Sequence, residues 1–253
     1  MRKLIVLLLC LTTSTFASEL HDAYASYTVG EHAKTLSERK DAFNTALTAY
    51  SEIVTTSPTN GSLYYNIGNC YFQLNEYPQA ILYYYKALSA SPRHNKAKEH
   101  LSIAQGKINI PHDHYYSIIK TLLSFHCYLS KGERFKSIFI TCCLALISWS
   151  LYIWHRARLW RIIGYIITAM AAILLISVFI SSYMIPIEGV VMHASTIRRD
   201  AGNHYTPVTD TPLLPGTKVR IVETIHENTW LKIMTIDKDI GYVPNSVIRT
   251  INY

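Results

Sequence analysis

The chain has 253 residues, 49% hydrophobic and only 16% charged, with a formal net charge of +7. Soluble domains carry about 25% charge, so this composition points to a chain partly held in lipid and excludes disorder as its main state. Five cysteines are too few for a disulfide-stapled scaffold of this length. The charge excess is +2 in residues 1–17 and +5 in 111–186, with none in 18–110 or 187–253, which argues against a nucleic-acid groove.

Residues 1–17, MRKLIVLLLCLTTSTFA, have the form of a cleaved secretory signal. Arg2 and Lys3 make the positive start, Leu4 to Leu11 the apolar stretch, and Thr15 and Ala17 supply small residues before a cut at Ser18. The apolar stretch is too short to span a bilayer. Cys10 raises lipidation as an alternative, although Leu8 and Leu9 stand where small residues are wanted. The mature chain is expected in an exported compartment.

Residues 18–110 read as helical. Within 61–94, Tyr64, Ile67, Gly68 and Tyr71 fall on one helical face, Asn75-Glu76 makes a turn, and Pro78 suits an early position of the next helix. Ala80, Tyr84 and Ala87 form that helix's inner face and Pro92 ends the unit. The pattern resembles a tetratricopeptide repeat (TPR), whose period is about 34 residues. One period earlier lie Ala46, Tyr50 and Pro58; before them only Gly30 and Ala33 fall near signature places. Asn95 to Lys107 reads as a solvating cap helix. Stacked repeats usually need about three units, so this array is expected to lean on a partner, on itself or on the membrane.

The resemblance implies a peptide-binding groove formed by the first helices. It would display Ser62, Tyr65, Asn66, Asn69, Phe72 and Gln73, then Lys96 and His100 from the cap. Asn66, Asn69 and Lys96 match three positions of the carboxylate-clamping version of the repeat. The lysine expected in the preceding repeat is missing, and His100 replaces the usual arginine. A generic groove, or an Asn66 that serves only the backbone, is the competing reading.

Residues 111–136 are expected to form a linker with an amphipathic helix along the membrane surface, centred on His114 to Ser130. Ile138 to Trp154 and Ile162 to Ile185 carry no Asp, Glu, Lys, Arg or His. At about 1.5 Å per residue they reach ~25 Å and ~36 Å, so 137–186 reads as two transmembrane helices with a basic loop at 155–161. By parity from the signal, residues 18–130 and 187–253 lie outside. Arg156, Arg158 and Arg161 lie inside, as the positive-inside rule prefers, while Lys131, Arg134 and Lys136 dissent from it on the outer side.

Residues 187–253 change character to five short strands. Pro215-Gly-Thr-Lys-Val219, Trp230-Leu-Lys-Ile233 and Gly241-Tyr-Val-Pro244 resemble the landmarks of a bacterial SH3-like domain, which implies an all-β barrel. Trp230 and Tyr242 are expected in its core, and Tyr205 is the surface candidate. Arg199-Asp-Ala-Gly202 departs from the Gly/Pro-rich loop of that family.

No nucleophile elbow, phosphate loop, dinucleotide fingerprint or zinc-ligand spacing occurs. His112-Asp-His114 is a solvated loop rather than a metal site, and Cys70, Cys127, Cys142 and Cys143 form no redox motif. No catalysis, cofactor or metal is expected. The whole order of modules resembles the BatE-like members of the Bacteroides-aerotolerance (Bat) family. The resemblance implies a non-enzymatic inner-membrane protein, with both end domains in the periplasm, that partners von Willebrand-factor-A-type Bat membrane proteins in envelope-stress tolerance. A cell-wall sensor gripping peptidoglycan through the SH3-like domain is the rival, and self-association stays open.

Overall fold

A computed structural model describes residues 18–56, 60–110, 129–184, 186–225 and 229–251. The expected signal at 1–17 with Cys10, Pro58, and residues 111–128, with the His112-Asp-His114 cluster and Cys127, lie outside them.

The N-terminal part is an array of paired helices: α1 over residues 18–32, α2 (Leu36–Thr56), α3 (Gly61–Gln73), α4 (Tyr77–Ala90) and α5 (Asn95–Lys107). Asn60 caps α3, its side-chain oxygen accepting from the Ser62 and Leu63 amides at 3.0 and 3.4 Å. Asn75 turns the chain at φ 64°, and Pro78 sits in the first turn of α4, where a missing N–H costs nothing. Gly68 faces the Tyr84 ring so closely that a Cβ would come within 2.6 Å of it; the helix pair approaches only because that side chain is absent.

The earlier repeat departs from the period. One period before Tyr77 falls on Phe43, yet α2 begins at Leu36, about two turns sooner. The preceding α1 stops at residue 32, leaving Ala33 in the connection. Ala23 of α1 still shares a core with Ala46, Tyr50, Leu63, Ile67 and Cys70, so the helix is present although its signature residues are displaced.

The C-terminal part is one antiparallel sheet of β1 (Ile187–Val191), β2 (Lys218–Ile225), β3 (Trp230–Met234), β4 (Ile240–Pro244) and β5 (Ile248–Thr250), in the order β4-β3-β2-β1-β5. A short 3-10 turn, Asn245–Val247, joins β4 to β5. Alternation sends Val219, Leu231, Ile233, Val243 and Ile248 to one buried cluster. Trp230 and Tyr242, expected in that core, are half-buried and point the other way, because they share the opposite parity with Lys232. Tyr242 pairs across the strands with Lys232, whose ammonium stands 5.8 Å from its ring centroid. Arg198 exchanges two backbone hydrogen bonds with Tyr242, of 2.9 and 2.8 Å, which covers the outer edge of β4.

The array and the sheet form a single body although residues 111–186 separate them in sequence. Val190, Met192 and Ile251 share a buried cluster with Ile81, Leu82 and Leu101. Beside it, Lys218 makes a 2.9 Å ion pair with Glu188 and stands 4.9 Å from the Tyr85 ring centroid. The Tyr85 hydroxyl accepts a 3.0 Å hydrogen bond from the buried Gln105. Gly216, at φ +88°, leaves room for Ile108, Ile110 and Ile81 at the place where its Cβ would be.

Residues 114–186 make a second unit. Its α6 (Lys131–His155) opens with a capping box between Ser130 and Glu133, and α7 (Arg158–Met184) follows. Residues 131–136 are therefore the first turns of α6 rather than linker. The basic loop expected at 155–161 shrinks to Arg156 and Ala157, because Arg156 takes the left-handed conformation at φ 48° and ends α6 at once. Both helices are long and apolar enough to cross a membrane. Their packing inverts the soluble pattern. Ser148 and Thr141 are buried, Ser148 donating at 3.2 Å to the Trp160 carbonyl, while Phe139, Leu146, Trp154 and Ile173 face outward.

Gly216→Val should destabilise the full chain in detergent by about 1–3 kcal/mol through overpacking and strain at positive φ, read as a lower urea midpoint. Gly106→Ala, in α5 with nothing within 4 Å of its Cβ position, should leave the midpoint unchanged or raise stability by up to about 1 kcal/mol.

Candidate functional site

The groove candidates sit on α3 and α5, and helical spacing decides their company. Tyr65, Asn69 and Phe72 recur at steps of four and three along α3, and Lys96 and His100 are four apart on α5. The structure gathers Tyr65, Asn69 and His100 with the buried Tyr84 into one hydrogen-bonded knot. The Tyr84 hydroxyl donates to Asn69 Oδ1 at 2.9 Å, and His100 Nδ1 lies 3.0 Å from the same oxygen. An amide oxygen only accepts, so His100 carries its proton on Nδ1 in this arrangement. The Tyr65 ring stands 5.3 Å from the His100 ring and 4.8 Å from that of His94. Burial raises the Tyr84 pKa above the ordinary tyrosine value, which keeps it a neutral donor.

Asn66 and the exposed Gln73 lie beside tyrosines of the preceding helices. Asn66 interacts with Tyr50 of α2, whose pKa burial raises. Gln73 hydrogen-bonds Tyr27 of α1, whose pKa burial pushes up to about 12. Phe72 meets the Tyr77 ring edge-on at 5.5 Å. Ser62 and Lys96 are exposed. The amides that matched a carboxylate clamp thus have internal partners, and Lys96 is the charged candidate that faces solvent. What the face offers a ligand is a neutral, aromatic, hydroxyl-rich surface with one cation at its rim.

Tyr205 is exposed, as a surface candidate should be; its ring lies 4.2 Å from that of His204, and its carbonyl accepts a 2.8 Å hydrogen bond from Arg198. Cys70 is buried, and burial pushes its thiol up to about 12, so it is held as a packed thiol rather than a reactive thiolate. Among the described residues no group of three or more His, Cys, Asp or Glu is placed to hold a metal ion. One feature had no signal in the sequence: Lys86 of α4, His193 and Arg249 of β5 line a common cleft, though they come from opposite ends of the chain.

The tetratricopeptide repeat family matches residues 62–94, which covers nearly all of α3, all of α4 and the turn into α5. No curated protein matches the chain. Such repeats are protein–protein interaction modules, and that coarse role holds for this segment.

His100 supplies a pH test. Desolvation by burial is the main cause holding its pKa below the ordinary histidine value; Glu99 opposes it, and Lys96 and His94 add to it. Above a pH of about 6.5 both folded and unfolded chains carry it neutral, so it adds no slope. As pH falls through about 6.5 the unfolded chain takes up the proton first, and stability drops until the lower folded pKa is passed. The urea midpoint should therefore fall between about pH 7 and about pH 5, and fall less in His100→Gln; equal slopes would assign the effect to other groups.

Proposed function

We propose that this chain is a non-enzymatic scaffold of a bacterial inner membrane, presenting a peptide-binding repeat face and an SH3-like module together on the periplasmic side. The observation that carries this reading is the shared core of Ile81, Leu82, Val190, Met192 and Ile251. A body assembled from residues on both sides of two apolar helices requires both ends in one compartment. Two crossings satisfy that requirement and one crossing does not. The inverted packing of α6 and α7 supports their place in lipid.

The strand order, with β5 beside β1 and a 3-10 turn before it, supports the SH3-like reading. The order of modules supports membership of the BatE-like Bat group. Its expected partners are von Willebrand-factor-A-type Bat membrane proteins in an envelope-stress complex. A cell-wall sensor that grips peptidoglycan is the second reading, favoured by the outward, half-buried Trp230, Lys232 and Tyr242 on one sheet face.

Two measurements test the scaffold. Tagged protein solubilised in mild detergent should capture membrane proteins, and a Ser62→Glu, Lys96→Glu variant should lose about tenfold or more of that capture without unfolding. These two residues are exposed and stand outside the Asn69–Tyr84–His100 knot. Unchanged capture would remove the repeat face from the interaction; retention of the full chain on purified sacculi, lost in Trp230→Ala, would instead favour the sensor. In a background with the native cysteines replaced, Ser37→Cys and Asp237→Cys should both react with an impermeant maleimide from the periplasm. Labelling of one alone would break the two-crossing topology.

A further inference from the structure

Between α4 and the β1–β5 end of the sheet lies a cleft of about 340 Å³, distinct from the repeat face. Tyr71, Tyr83 and Lys86 supply the helical wall, and His193, just past β1, and Arg249 of β5 supply the sheet wall. No Asp or Glu lines it among the described residues. The rest of its lining adds the amide of Gln79, the hydroxyls of Ser246 and Thr250, and the apolar side chains of Leu82 and Met192.

The chemistry of these walls is specific. The Tyr71 and Tyr83 rings stack at 5.3 Å with 23° between their planes, giving a flat apolar surface. The Lys86 ammonium stands 5.3 Å from the Tyr83 ring centroid. Its partial burial holds its pKa below the ordinary lysine value, a setting in which an anion beside the ammonium is favoured. Arg249 is exposed on β5 opposite Val190, and a guanidinium fork matches the two oxygens of a carboxylate or phosphate. The volume falls at the lower end of the range for small-molecule sites, about 300–1,000 Å³.

We infer that this cleft binds a small molecule bearing an oxyanion group, carboxylate or phosphate, between Lys86 and Arg249, with its carbon body against the Tyr71–Tyr83 pair. Because the two walls belong to the repeat array and to the sheet, an occupant bridges them and stabilises their docking. The site goes beyond the scaffold reading and does not depend on it, since no groove candidate lines the cleft.

The test uses the full chain in detergent and equilibrium dialysis at constant ionic strength, with labelled inorganic phosphate and labelled N-acetylalanine as probes. Saturable binding of at least one probe is expected, at about one per chain. Arg249→Gln and Lys86→Gln should each weaken it about tenfold or more, the loss expected for one charge-assisted contact. Arg199→Gln, an exposed arginine outside the cleft, should bind as wild type. So should Lys96→Glu, which separates this site from the repeat face. Preference for phosphate identifies a phosphate or headgroup source, and preference for N-acetylalanine a carboxylate source. The inference is overturned if neither probe saturates, if Arg249→Gln binds like wild type, or if Arg199→Gln loses as much. Thermal unfolding of each variant without probe checks the fold; should Lys86→Gln unfold, the exposed Arg249 decides the outcome alone.

Discussion

The contact between α4 and strand β1 is the constraint on which the body formed by the array and the sheet depends. α4 reads YPQAILYYYKALSA and is apolar on two sides. Ala80, Tyr84 and Ala87 turn to α3 as the repeat pattern requires, while Ile81 and Leu82 lie in the cluster that holds Val190, Met192 and Ile251. A helix apolar on two faces needs cover on both. A longer array would supply a further repeat there; this chain supplies its own sheet. One face of α4 is thus covered by residues that follow the apolar helix pair in sequence.

That closure explains several features that look unrelated. Gly216 must lack a side chain because Ile81, Ile108 and Ile110 fill the space beside it. Lys218 and Glu188 pair at 2.9 Å on neighbouring strands, and Lys218 also leans over Tyr85 of α4, so one ammonium links sheet and array. Partial burial makes such a pair sensitive to the loss of either member. It acts more as an orienting device between two modules than as a source of net stability.

Charge is distributed differently at the two surfaces with a claim to function. The repeat face is held by neutral hydrogen bonds, Tyr84 to Asn69 and His100 to Asn69, and burial of both rings favours their neutral forms. Such a network gives shape and fixed donors without a strong field. The cleft between α4 and the sheet gathers Lys86, His193 and Arg249, with no acidic lining residue among the described residues. In α6 and α7, which are long and apolar enough to cross a membrane, the ordering is reversed again, with Ser148 and Thr141 inside and large apolar groups outside.

Local pattern determined much of this protein. The helix spacing and small residues of 61–94 were enough for the repeat, because Gly68 and Ala80 meet the close approach of two neighbouring helices. Uninterrupted apolar runs marked α6 and α7, and period-two alternation marked the strands, since each of these signals is written within a few consecutive residues. Helix ends were less legible: the cap at Ser130 and the left-handed Arg156 moved the bounds of the apolar pair. Trp230 and Tyr242 were misplaced in the core because aromatic character suggests burial, whereas strand parity with Leu231 and Val243 decided the face. The tie of Asn69 to Tyr84 and His100 depends on neighbouring helices, so the match of Asn66, Asn69 and Lys96 to a carboxylate clamp could not reveal it. The docking of α4 on β1, and the cleft it creates, were decided only by tertiary structure: their residues lie more than a hundred positions apart, and the hydrophobic contacts that join them have no sequence spacing to betray them.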